Sequence, residues 1–279
     1  MDNQINPSDS QSDTKPRSEM TFWQHLAELR GTLVRSSIFI AVFSLAAFLN
    51  RNIIFDQIIL LPKSPDFITN RLLCRLGEWT GVEILCIGDT VLQLISIHLS
   101  GQLMMHLYVS LAAGFVIASP LVISQFYRFI RPALTPHERL YTHKAVIVVS
   151  LLFWAGVLFS YFLIVPLTIS FLGNYQVSEA VVNQITLNSY VGTIVSVSLA
   201  VGLVFELPVL VFFLARTGVV TADFLKRNRK YMLVIILILS AIITPPDIFS
   251  QILVSIPLLG LYEVSIAVAK RTQQRQLVA

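Results

Sequence analysis

Charged residues are scarce in this sequence of 279 residues. Lys, Arg, Asp and Glu together make up 13% of it, whereas about 25% is usual for a soluble domain. Hydrophobic residues make up 55%, and the mean hydropathy is +0.73. So few charged side chains cannot cover the surface of a water-soluble domain of this size. The composition therefore excludes a conventional water-soluble enzyme and a disordered chain.

Cysteines and catalytic motifs are also lacking. Two cysteines, Cys74 and Cys86, are too few for a disulfide-based mini-domain. The sequence contains no GxSxG, Walker A or HExxH motif, so nothing in it indicates an enzyme. His25 and Glu28 have the i, i+3 spacing of a metal-binding pair, but one such pair is a weak signal. We expect neither a metal nor a cofactor.

Long apolar runs are abundant instead. Since a helix needs about 20 residues to cross the hydrocarbon core, the runs predict an all-α polytopic membrane protein with six transmembrane helices. The six segments are Leu33–Leu49, His106–Phe126, Ala145–Phe171, Tyr190–Ala215, Tyr231–Ile243 and Ile248–Ala269. The fifth covers only about 20 Å, so it either thins the bilayer or is buried in the bundle. We divide the chain into a polar tail (1–20), a membrane domain (21–270) and a C-terminal tail (271–279).

Basic residues indicate the orientation, because cytoplasmic loops are enriched in Lys and Arg. They cluster after the second span, after the fourth span and at the C-terminus, whereas residues 173–189 and 244–247 contain none. Both termini are therefore predicted to be cytoplasmic. The clusters are Arg128, Arg131, Arg139 and Lys144; Arg216, Lys226, Arg227, Arg229 and Lys230; and Lys270, Arg271 and Arg275.

The first loop is long and is predicted to lie on the non-cytoplasmic side. Ile84–His98 is interpreted as a helix along the membrane interface. Cys74 and Cys86 both fall in this loop, on an oxidising side. The sequence leaves open a disulfide between them and two unpaired thiols.

Two cytoplasmic segments carry candidate binding residues. Thr21 predicts the start of an amphipathic helix that carries Glu28 and Arg30 into the first span. The loop from Phe129 to Arg139 is stiffened by two prolines, and Glu138 in it has the position of a capping residue.

Glu206 is the most unusual residue by position. It lies about 15 Å inside the fourth apolar run, next to Pro208, where a carboxylate costs at least about 2.5–3.5 kcal/mol to insert. It must therefore face the interior of the bundle or a wet cavity. A functional acid and a hydrogen-bonding structural acid both stay open.

A tight turn joins the fifth and sixth segments. Thr244, Asp247 and Gln251 place polar groups at the ends of these two segments. They either dock a partner helix or cap the turn.

Four motifs in register resemble the TatC family, the receptor subunit of the twin-arginine protein translocase. They are His25-Leu-Ala-Glu-Leu-Arg30, Phe129-Ile-x-Pro-Ala-Leu-Thr-Pro-x-Glu-Arg139, Phe205-Glu-Leu-Pro208 and Thr244-Pro-Pro-Asp-x-x-Ser-Gln251. The resemblance implies a cup-shaped bundle that binds twin-arginine signal peptides of folded precursor proteins. The implied signal-peptide site comprises Glu28, Glu138, Phe129, Arg30 and Arg139.

The resemblance also implies further roles and partners. Glu206 matches the family's intramembrane acid, and Thr244, Gln251 and Asp247 match the cluster that docks single-span TatA/TatB-type subunits. It implies a multi-copy hetero-oligomeric complex in the bacterial inner membrane that uses the proton-motive force. One departure is Thr32, where many members carry a basic residue.

The chemistry of arginine agrees with this interpretation. A guanidinium binds a carboxylate through a planar bidentate fork that Lys cannot reproduce, so two arginines call for two carboxylates. Glu28 and Glu138 are the predicted pair. Two other interpretations stay open: a small-solute transporter with Glu206 as its ion site, and a purely structural membrane scaffold.

Overall fold

The computed structural model describes residues 22–64, 67–80, 93–130, 142–175, 178, 183–244 and 248–278. This part of the chain is mostly helical. The helices are α1 (Phe22–Leu49), α2 (Ile68–Thr80), α3 (Gly101–Ile130), α4 (Thr142–Phe159), α5 (Val165–Asn174), α6 (Leu187–Val204), α7 (Leu207–Arg216), α8 (Ala222–Arg227), α9 (Arg229–Ile243) and α10 (Ile248–Val278). Two π-helical turns (Ile53–Ile59 and Ser160–Ile164), a 3₁₀ turn (Leu61–Lys63) and two short strands, β1 (Leu94–Ile95) and β2 (Ile185–Thr186), complete it.

Five stretches of helix are long and apolar enough to cross a membrane. They are His25–Leu49, Gly101–Ile130, Ala145–Gly173, Leu187–Arg216 and Ser250–Gln274. Each contains one of the predicted apolar segments or nearly all of it, so these five predictions are confirmed as helices. The third stretch joins α4 to α5 through a π-helical turn, and the fourth joins α6 to α7.

The remaining predicted segment, Tyr231–Ile243, lies in α9. This helix has 15 residues and is therefore about 22 Å long, against a hydrocarbon core of about 30 Å. The sixth crossing stays a prediction, as does the side on which the termini lie. At the C-terminus α10 runs on to Val278, so most of the predicted tail continues that helix. The predicted N-terminal tail lies outside the described residues.

Small residues let the spans approach closely. A Cβ atom added to Gly114 of α3 would lie 2.6 Å from the Cα of Ser44 in α1. A Cβ on Gly156 of α4 would lie 2.9 Å from the Cα of Gly202 in α6. Close backbone approach at small residues is the usual packing mode between helices in a bilayer, where lipid tails are as apolar as leucine.

Buried apolar side chains form two clusters. One joins α6, α7, α9 and α10 and includes Val201, Val211, Ile236 and Leu258. The other joins α1, α3, α5 and α6 and includes Val191. Many large apolar side chains outside these clusters are exposed, as expected where the surrounding solvent is lipid.

The loop between α1 and α3 differs from its prediction. Leu94 and Ile95 form β1, which pairs in parallel with β2. The predicted helix Ile84–His98 is therefore wrong over this pair, because pairing with a distant segment outweighs local pattern. Helix α2, earlier in the same loop, was not predicted. Cys74 on α2 is disulfide-bonded, but Cys86 lies outside the described residues and its pairing with Cys74 stays a prediction.

Candidate functional site

The start of α1 and the end of α3 meet through two rings. The His25 and Phe129 rings stack with centroids 4.4 Å apart and an interplanar angle of 25°. Two membrane-spanning stretches separate these residues in sequence, so the contact brings both chain segments to one side of the bundle. Phe129 is half-buried and His25 is exposed.

Glu28 lies one helical turn beyond His25 on α1 and is half-buried. Its carbonyl oxygen accepts a hydrogen bond from the hydroxyl of Thr32 at 3.0 Å. Thr32 is only 5% exposed, so a longer basic side chain at this position would have to fit into a buried site. Arg30 is exposed on the same helix.

The other two predicted signal-peptide residues, Glu138 and Arg139, lie outside the described residues. The structure thus brings Phe129 to the helix that carries Glu28, but the pairing of Glu28 with Glu138 stays a prediction. Within the described part of the chain, no group of three or more His, Cys, Asp and Glu side chains is placed to hold a metal ion.

Glu206 occupies the junction between α6 and α7. Its N–H donates to the carbonyl of Leu203 at 3.1 Å, and its own carbonyl accepts from Val209 and Leu210, each at 3.0 Å. Pro208 has no N–H to donate, which accounts for the interrupted hydrogen-bond ladder. The backbone turn therefore holds Glu206 firmly inside the fourth span.

The side chain of Glu206 is less constrained by polar partners. Both carboxylate oxygens are buried, and neither has a hydrogen-bond partner among the described residues. Tyr127 of α3 lies close enough for electrostatic interaction with Glu206, and its hydroxyl is likewise buried without such a partner. Sequence reasoning missed Tyr127, although a tyrosine within an apolar run is a signal that could have found it.

Polar groups at the end of α9 and the start of α10 form hydrogen bonds with α9. The Thr244 hydroxyl donates to the carbonyl of Ser240 at 2.9 Å, and the side chain is 6% exposed. The amide nitrogen of Gln251 donates to the carbonyl of Leu237 at 3.0 Å, which ties α10 to α9. Both residues thus have a local structural role. Asp247 lies outside the described residues.

Comparisons with known proteins agree on one family. The family model described as "Sec-independent protein translocase protein (TatC)" matches residues 24–257. The TatC protein of Blattabacterium from Periplaneta americana is 34% identical over 255 residues, which are 91% of this chain and 96% of that protein. The TatC protein of Aquifex aeolicus is 33% identical over 258 residues, which are 92% of this chain and 98% of that protein.

Two solved structures share the fold. One is titled "Crystal Structure of Twin Arginine Translocase Receptor- TatC"; it is 32% identical, with a TM-score of 0.65, and the match covers 89% of this chain and 99% of that one. A second, of the receptor TatC in DDM, gives 33% identity and a TM-score of 0.69, with 87% and 97% covered. The chain therefore belongs to the TatC family of Sec-independent protein translocase proteins, which are membrane components of a protein-transport system and not enzymes.

Proposed function

We propose that this chain is the receptor subunit of a twin-arginine translocase in the bacterial inner membrane. It binds the twin-arginine signal peptides of folded precursor proteins. It also recruits single-span TatA/TatB-type subunits, with which it forms a multi-copy complex for export driven by the proton-motive force. The observation that carries the proposal is the His25–Phe129 stack, which joins two of the family motifs at one end of the bundle.

Two contacts support an orientation with both termini in the cytoplasm. The His25–Phe129 stack holds the start of the first span and the end of the second on one side. The loop before the second span contains β1, and the loop after the third span contains β2. Since these two strands pair, both loops lie on the same side of the bundle. Basic residues follow the second span, so the stacked end is the cytoplasmic one. With α9 as a sixth, short crossing, the C-terminus lies there too.

Recognition rests on two carboxylates at this cytoplasmic end. Glu28 lies one turn from the stack, and the motif that begins at Phe129 carries Glu138 only nine positions further along the chain. One guanidinium and one carboxylate form two parallel hydrogen bonds with each other. The two arginines of a signal peptide therefore call for two glutamates in the receptor. Each such charged hydrogen bond contributes at most about 1.5–3 kcal/mol, and less where water competes.

Cross-linking of a photoreactive twin-arginine signal peptide tests this proposal. We expect Glu28→Gln and Glu138→Gln each to reduce cross-linking, and the double variant to reduce it by about tenfold or more, since about 1.4 kcal/mol corresponds to a factor of ten. A Lys-Lys peptide should cross-link poorly to the unmodified protein. Glu263→Gln is a matched control because this glutamate lies in α10, where it pairs with Arg229 at 2.7 Å.

An unchanged yield of cross-linked peptide in the double variant would refute the carboxylate model. A reduced yield in the Glu263→Gln control would indicate a general loss of negative charge instead of a site. Thermal stability of each purified variant separates loss of binding from loss of fold.

Partner recruitment is assigned to α9 and α10. Ile238 and Ile242 of α9 and Ile256 of α10 are more than half exposed, which leaves these two helices with apolar surface for a single-span helix. Thr244, Asp247 and Gln251 are the proposed polar contacts beside that surface. Co-purification of a single-span subunit should weaken in an Ile238→Ala/Ile242→Ala variant. Full recovery of the partner would contradict this assignment.

A further inference from the structure

Helix α2, in the loop between the first and second spans, has one face packed on the bundle and another exposed. Phe67, just before the helix, is 2% exposed, and its ring stacks on that of Phe162 with centroids 5.7 Å apart. The hydroxyl of Thr69 donates to the carbonyl of Phe162. The amide of Asn70 donates to the carbonyls of Pro62 and Ser64 at 3.2 and 2.8 Å. The start of α2 is thus fixed to the third span.

The contact between α2 and the third span lies near the edge of the hydrocarbon core. The third span begins at Ala145, directly after Lys144, and Phe162 lies about 26 Å further along its axis at 1.5 Å per residue. Because the hydrocarbon core is about 30 Å thick, this depth is a few ångströms inside the boundary on the loop side. Helix α2 therefore starts at the level where acyl chains meet lipid headgroups.

Three apolar side chains form a boundary stripe on the exposed face of α2. Ile68, Leu72 and Trp79 are 70%, 57% and 86% exposed. At 3.6 residues per turn they lie within about 40° of one another around the helix axis. Arg75 is exposed on the adjoining flank, where a long basic side chain can reach phosphate groups.

We propose that α2 is an interfacial helix whose boundary stripe is buried in the phospholipid on the loop side of the membrane. An apolar stripe flanked by an arginine, with a tryptophan near the end of the helix, is the pattern of a helix lying in the headgroup region. The depth of its attachment selects a lipid surface over a protein in the aqueous phase. The inference does not depend on the proposed signal-peptide site.

Tryptophan fluorescence of the full chain in phospholipid vesicles tests this inference. The sequence contains three tryptophans, so the emission that disappears in Trp79→Phe belongs to Trp79. This component is expected at short wavelength. Lipids brominated near the carbonyl end of the acyl chain should quench it more strongly than lipids brominated near the chain terminus, and aqueous iodide should quench it least.

Substitutions in the stripe give a second measurement. Ile68→Asn/Leu72→Asn should shift the Trp79 emission to longer wavelength and increase its quenching by iodide, whereas Glu78→Gln on the polar flank should change neither. The inference is overturned if iodide quenches the Trp79 component of the unmodified chain as it quenches free tryptophan while brominated lipids have no effect. The vesicles contain no other protein, so a stripe that binds a protein partner would give that same negative result.

Discussion

The start of α1 and the middle of the fourth span each carry one candidate carboxylate, in opposite surroundings. Around Glu28 the helix is mostly exposed, and a Cβ atom added to Gly31 would have no atom of another described segment within 4 Å. Near Glu206, α4 and α6 approach so closely at Gly156 that an added Cβ would overlap Phe205. In the proposed mechanism a peptide would therefore meet Glu28 on a mostly exposed helix, whereas it would reach Glu206 only by entering the bundle.

The difference in packing between Gly156 and Gly31 predicts the largest effect, which is on stability. Gly156→Ala should destabilise the protein by about 1–3 kcal/mol, because the Cβ would lie 2.8 Å from Phe205 and 2.9 Å from the Cα of Gly202. Gly31→Ala is the matched control and should be neutral or stabilising by up to about 1 kcal/mol, since alanine is the better helix former. Thermal unfolding in detergent measures both. Equal midpoints for the two variants would contradict the difference in packing.

Replacing Glu206 should reduce transport without reducing the stability of the protein. In Glu206→Leu we expect an unchanged or higher unfolding midpoint, because the carboxylate oxygens are buried without hydrogen-bond partners in the described part of the chain. Export of a folded twin-arginine reporter should fall by about tenfold or more, the effect of an interaction worth about 1.4 kcal/mol. Glu206→Gln tests whether an amide suffices. Normal export by both variants would reduce Glu206 to a structural residue.

The ring stack near Glu28 predicts the smallest effect. Phe129→Ala should weaken cross-linking to the signal peptide a fewfold, because an aromatic pair contributes about 0.5–1.5 kcal/mol. Phe129→Tyr should preserve the stack and the yield. Phe126→Ala, one turn earlier on α3 at a side chain that is 38% exposed, is the control. A loss of yield in that control equal to the loss in Phe129→Ala would mean that the ring stack is not specific.

Much of this arrangement follows from sequence, because apolar runs and prolines act locally. The runs predicted helices at all six segments, and Pro208, which has no N–H to donate, is a local cause of the interruption that separates α6 from α7. The depth of Glu206 also agrees with the burial of its two carboxylate oxygens. The His25–Phe129 stack, the position of Tyr127 beside Glu206 and the β1–β2 pair were not predictable, because each joins segments that are distant in sequence. Helix α2 was missed because its 13 residues contain no long apolar run.

The pairing of β1 with β2 has a consequence for how this protein is made. The ribosome releases Leu94 and Ile95 before the second and third spans, and their partners Ile185 and Thr186 only after both. During synthesis β1 must wait, unpaired, until two further helices have entered the bilayer and returned the chain to the same side. Pairing then joins the loops before the second span and after the third. A nascent chain arrested before residue 185 should therefore leave the segment around Leu94 and Ile95 open to protease, and release of the arrest should protect it.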